Sequence, residues 1–335
     1  MSGSDPLSAP LTVNWSLSYR CNFTCRHCYS RNMETERMTP EKVRRAVDLL
    51  AEKGVIFINF GGGEPLLVPD IMEIAAYAVS KGLRVSMNSN GWCVDEDTAR
   101  EIARAGFTSV GISIDSPDPV SHDRFRNRRG SFSRAIRALD LLRAARVKTT
   151  VSCVINRNNL SGWQGMLDVC RDHGAGTLYL HNYKCTGSGF VNMGDLDLTP
   201  AQWEAFYTEA LRVRSSHEEV TLSFDDPIMA ALPGFQPSGT VPGSTCGKLS
   251  LHLCPDGQIT PCGFIPLSVG HILEDDFDEI WFRSPILQKM REKTPEGKCH
   301  GCSSYSDCLG GCTARVFALT GAFDGPDPHC WVEED

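Results

Sequence analysis

Cys21-Asn22-Phe23-Thr24-Cys25-Arg26-His27-Cys28-Tyr29 sets three cysteines in one short loop at the spacing Cys-x3-Cys-x2-Cys. Three thiolates so placed can hold an iron–sulfur cube and leave its fourth iron open to a small molecule. Taken alone, Cys25 and Cys28 also fit a redox pair or half of a zinc site. A second feature weighs against both. Phe60-Gly61-Gly62-Gly63-Glu64-Pro65 directly follows the apolar, strand-like run Val55-Ile56-Phe57-Ile58. Glycines at a strand end let backbone approach a ligand closely, and Glu64 sets a carboxylate there to bind an amine.

Together these features resemble the radical S-adenosylmethionine (radical SAM) superfamily. The resemblance implies that Cys21, Cys25 and Cys28 bind a 4Fe–4S cluster on which SAM is cleaved. It also implies that Gly62, Gly63, Glu64 and Pro65 meet the methionyl amine of SAM.

Composition fits a soluble enzyme. The 335 residues suffice for one large domain and a smaller one, and 22% charged with 41% hydrophobic residues is ordinary for a globular chain. A net charge of −8 argues against nucleic acid as a partner. No apolar run approaches the ~20 residues of a membrane span. The first ten residues lack a basic start and an apolar stretch, so they read as a flexible tail and the cytoplasm as the default location. Fifteen cysteines, an odd number in a chain without an export signal, point to metal ligation rather than disulfides. Cys170 reads as a small core residue.

Between the cysteine loop and residue 216 the pattern alternates strand and helix. Strand-like runs span 13–18, 55–60, 83–88, 109–115, 148–156 and 177–183. Thr39 caps a helix with Pro40 in its first turn and Val43, Ala46, Val47 and Leu50 on one face. Asp95 caps another that stops at Gly106, and further helices read over 71–80, 131 onward, 160–173 and 200–215. Six βα units imply a parallel α/β sheet with right-handed crossovers. Over ~200 residues they suit an open, partial (β/α)6 barrel better than a closed eightfold one. The expected division is a tail (1–10), a barrel (11–216), a bridging region (217–245) and a C-terminal domain (246–335).

In such sheets ligands sit at the carboxyl ends of the strands. The first strand ends at the cysteines, the second at Gly62-Gly63-Glu64, the third at Ser89-Asn90 and the fourth at Ser113-Ile114-Asp115. By resemblance, Ser89, Asn90, Ser113 and Asp115 are candidates for SAM's ribose and carboxylate, His27 sits beside adenine, and Asn156 closes the pocket. Ser89, Ser113 and Asn156 read equally well as polar turn residues. Arg124, Arg126, Arg128 and Arg129 could hold a carboxylate, although a solvated loop is the simpler reading.

The C-terminal part carries Cys246-x10-Gly257-x4-Cys262, then Cys299-x2-Cys302-x5-Cys308-x3-Cys312, then Cys330. Pro255-Asp256-Gly257 between strand-like runs marks a hairpin turn. Standing alone, the paired cysteines also fit a double zinc ribbon. Downstream of a radical SAM core they are similar to the SPASM extension, which carries two auxiliary iron–sulfur clusters. The resemblance assigns Cys299, Cys302, Cys308 and Cys330 to the outer cluster and Cys246, Cys262 and Cys312 to the inner one. The inner cluster then has an open iron or a smaller nuclearity, unless the off-motif Cys254 substitutes as a ligand.

The implied chemistry is reductive cleavage of SAM to a 5′-deoxyadenosyl radical, hydrogen abstraction from a substrate, and a net oxidation with the auxiliary clusters taking an electron. A reductant such as flavodoxin or ferredoxin is implied as a partner. The glycine run and the tail from Cys308 to Cys330 look most like mycofactocin and pyrroloquinoline quinone peptide maturases, with haem-biosynthetic members more distant. A ribosomally made peptide is therefore the expected substrate. The few residues ahead of the first strand are too short for a peptide-recognition domain, so either a separate recognition protein or a substrate that is not a peptide is expected. The alternative is dehydrogenation or epimerisation of a small sugar or aminocyclitol in antibiotic assembly. Cys185, just past the sixth strand, is the candidate hydrogen donor for an epimerase, with an incidental loop thiol as the plainer reading. Asp225 and Asp226 are guesses for acid–base residues.

Overall fold

The structure is a computed structural model that describes residues 6–30, 33–224, 226–235 and 241–333. Seven strands follow one another across a parallel sheet: β1 (Thr12–Ser16), β2 (Phe57–Gly61), β3 (Arg84–Ser89), β4 (Ser109–Ser113), β5 (Thr149–Val154), β6 (Thr177–His181) and β7 (Thr221–Ser223). Sequential order with right-handed crossovers keeps the connecting helices on one side, which curls the sheet into an arc of barrel. The sixth βα unit of the sequence reading thus gains a seventh strand, too short at three residues to show as a periodic run.

The connecting helices arise where capping chemistry and apolar period coincide. α1 (Pro40–Glu52) starts at Thr39, whose hydroxyl accepts from Lys42 N, and buries Val43, Ala46, Val47 and Leu50. α2 (Ile71–Ser80) and α3 (Glu96–Ala105) follow, the latter capped by the Asp95 carboxylate and ended by Gly106 at φ +84°. α4 (Pro119–Arg126) is a helix where the sequence reads as a loop, with Asp118 as its cap and Pro119 in its first turn. α5 (Ser131–Ala144) begins as expected. α6 (Gly165–His173) starts later than the sequence suggests, because 160–164 forms turns. Two single turns, α7 (Ser188–Val191) and α8 (Met193–Leu196), precede α9 (Pro200–Ser216), which carries a full capping box between Thr199 and Gln202.

The cysteine-rich C-terminal part joins the same sheet. β8 (Ser250–Leu253) pairs parallel with β1, and β9 (Gln258–Thr260) and β10 (Gly270–His271) continue outward as an antiparallel hairpin and edge. The β8–β9 turn is the expected one, with Gly257 at φ +97°, where a side chain would meet His271. Four short helices follow: α10 (Phe277–Arg283), α11 (Pro285–Arg291), α12 (Tyr305–Cys308) and α13 (Thr313–Thr320).

One apolar core runs from Val13 on β1 to Trp281 and Leu287 on the C-terminal helices. The described part of the N-terminal stretch is tied down rather than loose: Trp281 Nε1 donates to Leu7 O at 2.6 Å, and Ala9 is buried. Cys170 is fully buried, as a core residue should be. No helix of the described residues is long and apolar enough to cross a membrane.

Candidate active site

A cavity of about 620 Å³ opens at the carboxyl ends of the strands. Its lining includes Cys21, Cys25 and Cys28 on one side and Cys246 and Cys262 on another, so the two groups of thiols share a single chamber.

The first wall is built by close backbone approach. Gly63 N donates to Ser18 O and Glu64 N to Arg20 O, both at 2.9 Å, clamping the glycine run onto the loop that leads to Cys21. A side chain at Gly63 would meet Arg20 O at 2.1 Å, and one at Gly62 would meet Ser18 O at 2.7 Å. Those two glycines are therefore required by contact, not merely tolerated.

Glu64 is 2% exposed and lines the chamber. Its oxygens accept from Ser89 Oγ at 2.8 Å, Asn90 N at 2.8 Å and Leu66 N at 3.2 Å. Burial pushes its carboxyl above the usual range against those donors. A buried carboxylate with hydrogen-bond donors but, among the described residues, no salt-bridge partner suits an incoming ammonium group. Ser89 supports Glu64, and Asn90 adds a bond from Nδ2 to Asn22 Oδ1 at 2.8 Å that steadies the cysteine loop. Pro65 is buried and opens the tight turn for which Glu64 is the cap. Ser113 reaches the cavity wall.

His27 lines the chamber with its ring stacked on Phe125, centroids 4.5 Å apart and planes 6° apart. Burial, and then the Arg126 cation, hold it down to about 3, so it is a neutral flat ring, and its Nδ1 is buried without a partner. Burial likewise pushes the Cys25 thiol up to about 11. Three thiols, a buried carboxylate outside any salt bridge and a neutral aromatic ring around one void fit a 4Fe–4S cluster with SAM upon it.

Asp115 and Asn156 do not line that void. Arg126 Nε donates to Asp115 Oδ2 at 2.5 Å, and Val154 N to Asp115 Oδ1 at 2.9 Å. Burial alone would raise the Asp115 carboxyl, and the guanidinium beside it overcomes this and leaves it low. Asp115 therefore holds Arg126, whose Nη1 lies 4.0 Å from Cys25 Sγ, instead of touching SAM. Arg126, read as part of a solvated loop, is 7% exposed and on the cavity wall. Asn156 serves its own turn: Nδ2 donates to Val154 O, and Oδ1 accepts from Asn158 N.

Cys185 is misplaced for hydrogen donation. It is 1% exposed, off the cavity, with Sγ donating to Asp197 Oδ2 at 3.1 Å. His329 Nε2 meets the same oxygen at 2.9 Å, while its Nδ1 is buried without a partner. A metal on Nε2 would force that Nδ1 to carry an unsatisfied proton, so the cluster reads as a hydrogen-bonded tie. Alternation past β6 explains the miss. Asn182 and Lys184 face the chamber, whereas Tyr183 and Cys185 turn into the core.

The C-terminal cysteines gather in two groups. Cys246 and Cys262 share a hydrogen bond that holds Cys246 down, to about 7, and Cys312 acts on Cys262 from nearby. Lys184 Nζ lies 3.1 Å from Cys312 Sγ. Cys299, Cys302, Cys308 and Cys330 form the second group, mutual proximity of the thiols adding to burial in raising Cys299, Cys308 and Cys330. Cys254 joins neither. It sits at the turn end of the β8–β9 hairpin, hydrogen-bonded to Tyr19, whereas Cys246 and Cys262 flank the hairpin's open end. Asp226 is also not free for acid–base work. It is 2% exposed, with Oδ1 and Oδ2 each accepting from Arg315 at 2.7 Å, and Tyr207 and Asn182 donate to it as well. Asp225 lies outside the described residues.

Sequence reasoning missed His252, Tyr29, His181 and Lys184 on the wall. His252 Nε2 lies 3.3 Å from Ser16 Oγ, and burial lowers its pKa to about 4. The signal for it lay in β8 joining β1, which no local pattern shows.

Residues 15–170 match the radical SAM superfamily, and residues 245–303 match the SPASM iron–sulfur cluster-binding domain. The chain belongs to the radical SAM superfamily, and so binds SAM and a 4Fe–4S cluster in its core and auxiliary iron–sulfur clusters in its SPASM part. It is similar to mycofactocin maturase MftC of Mycobacterium ulcerans, 30% identical over 97% of this chain and 88% of that one. It is also similar to an AdoMet-dependent heme synthase of Nitratidesulfovibrio vulgaris, 27% identical over 95% of this chain and 91% of that one. Among solved structures, Streptococcus suis SuiB bound to precursor peptide SuiA has the same fold, with TM-score 0.82, 18% identity, and coverage of 98% of this chain and 77% of that one.

Proposed function

We propose that this enzyme oxidatively modifies a ribosomally made peptide by dehydrogenation, decarboxylation or crosslinking. The observation that carries this reading is the shared chamber, lined by Cys21, Cys25 and Cys28 and also by Cys246 and Cys262. A substrate held there lies between the site where its hydrogen is taken and the auxiliary site that can accept its remaining electron. The likeness to a mycofactocin maturase along 97% of the chain supports a peptide as that substrate.

Bound SAM and reduced iron supply the carbon-centred radical; the chain supplies position and shelter. Glu64 receives the amine, His27 offers a flat neutral face, and Arg126, locked by Asp115, keeps a positive charge beside Cys25. Lys184 and Asn182 set the polarity of the far wall. Epimerisation of a small molecule lacks its donor. Among the described residues the only cysteines on the cavity are Cys21, Cys25, Cys28, Cys246 and Cys262, all proposed cluster ligands. In the proposed assignment Cys312 completes the inner set and Cys299, Cys302, Cys308 and Cys330 hold the outer one. A separate peptide-recognition protein is part of the proposal.

Anaerobically reconstituted enzyme, given SAM, dithionite and the short peptides encoded near its gene, is expected to release 5′-deoxyadenosine and return one peptide lighter by hydrogen or carbon dioxide. Nucleoside release with every peptide unchanged would defeat the peptide assignment.

A further inference from the structure

The end of α4 presses against the back of the cysteine loop. Arg26 N donates to Phe125 O at 3.1 Å and Asn127 Nδ2 donates to Thr24 Oγ1 at 2.8 Å. The thiol trio thus stands directly behind this helix end. Residues 124–134 hold five arginines (Arg124, Arg126, Arg128, Arg129 and Arg134) and no acidic residue. Arg126 points inward to Asp115, and the other four are exposed.

Among the described residues these four cations have no salt-bridge partner. Asp123, the nearest acid in sequence, is taken up by Gly130 N, Ser131 Oγ and Phe132 N. The ion pairs of the adjoining helices, Arg100 with Asp97 and Arg143 with Asp140, do not include them. Two are also held in place: the Arg128 and Arg134 guanidiniums lie 4.4 and 5.3 Å from the Trp92 ring centroid. Trp92 packs edge-on against Phe23, centroids 5.7 Å apart, and Phe23 lines the cavity beside Cys21. On a chain of net charge −8, a fixed basic face at this position is a local departure.

We propose that this face docks an acidic one-electron carrier protein of the flavodoxin or ferredoxin kind, which reduces the cluster held by Cys21, Cys25 and Cys28. The proposal rests on the radical SAM chemistry above and names its electron entry point. The step makes and breaks no bond: the carrier loses one electron and the cluster gains one. Exposed arginines at the rim of such an encounter act chiefly on the association rate and its salt dependence.

The test compares two reductants on reconstituted holoenzyme and on a combined Arg124→Gln, Arg128→Gln, Arg129→Gln variant, reading initial 5′-deoxyadenosine formation from SAM. With dithionite the variant is expected to stay within about twofold of the parent. With limiting reduced flavodoxin at low salt its rate is expected to fall about tenfold or more and to lose its salt dependence. The triple Lys variant should recover most of that rate. Equal flavodoxin-driven rates in parent and variant would overturn the proposal. A matching loss with both reductants would do so too, by showing that the face merely supports the site. Weaker peptide binding with an unchanged flavodoxin rate would reassign the face to an acidic peptide. No cleavage by the parent with dithionite would defeat the radical SAM function itself, and the docking with it, a result distinct from all of these.

Discussion

The two thiol-bearing regions are built by opposite means. Cys21, Cys25 and Cys28 sit in a loop pinned by backbone hydrogen bonds from Gly63 and Glu64, at the end of the parallel strands β1–β7. The C-terminal cysteines lie in a segment of short strands and helices, several of them close to a buried charge cluster. Arg315 is 1% exposed and bridges Asp226 to Asp327, and Asp327 in turn accepts from Cys312 N at 2.7 Å and His329 N at 2.9 Å. The first site rests on the sheet and the backbone clamp from Gly63 and Glu64, whereas the second rests on a few buried ionic contacts and on whatever its thiols bind.

The sharpest way to break this contrast is to substitute Cys21, Cys25 and Cys28 together by Ala. Nucleoside formation should fall to background while the C-terminal iron stays bound, as counted by iron and sulfide analysis. Loss of all iron would mean that the two regions are not independent.

Next in size is Arg315→Met. Removing the cation leaves Asp226 and Asp327 buried without their salt-bridge partner, a cost of about 3–5 kcal/mol. Thermal melts should show early unfolding, and limited proteolysis should cut first in the stretch beyond residue 291. A melt unchanged from the parent would remove the charge cluster from the account.

A smaller effect follows from pH. Burial lowers both His122 and His252 to about 4, and His122 Nδ1 accepts from Asp115 N. The unfolded chain takes up these protons first, near pH 6.5, so stability is full above that value and falls as pH drops toward 4. Each such histidine costs up to about 1.4 kcal/mol per pH unit in that window, measurable by urea titration of the reconstituted protein.

Smallest is Cys254→Ser, which should leave iron content and nucleoside formation unchanged, because this thiol lies at the turn end of its hairpin. Cys312→Ser, its control, should lose iron.

Much of the first region was legible because its causes are local. Thr39, Asp95 and Ser131 mark helix starts within a residue of where they fall, and the trio needs only its own loop. Six of the seven barrel strands show as apolar runs, and the strand ends correctly point to Glu64, Ser89, Asn90 and Ser113 at one rim. What stayed hidden depends on partners far along the chain. Arg126 reads as solvated until Asp115 is seen across from it, and α4 as a loop because its burial comes from α5 and the cysteine loop. The alternation that turns Cys185 into the core and Lys184 into the chamber was readable in principle, but only once the sixth strand's register was known. β8 completing the sheet beside β1 places His252 and Cys246 in the chamber, a pairing across more than two hundred residues that no periodicity reveals.

The most direct measurement uses anaerobic, fully metallated enzyme, a reductant, SAM and a peptide substrate deuterated at the reacting carbon. One chamber joining the two thiol groups predicts that the deuterium appears in 5′-deoxyadenosine and that the same peptide molecules emerge oxidised. An unlabelled nucleoside beside an intact peptide would contradict it.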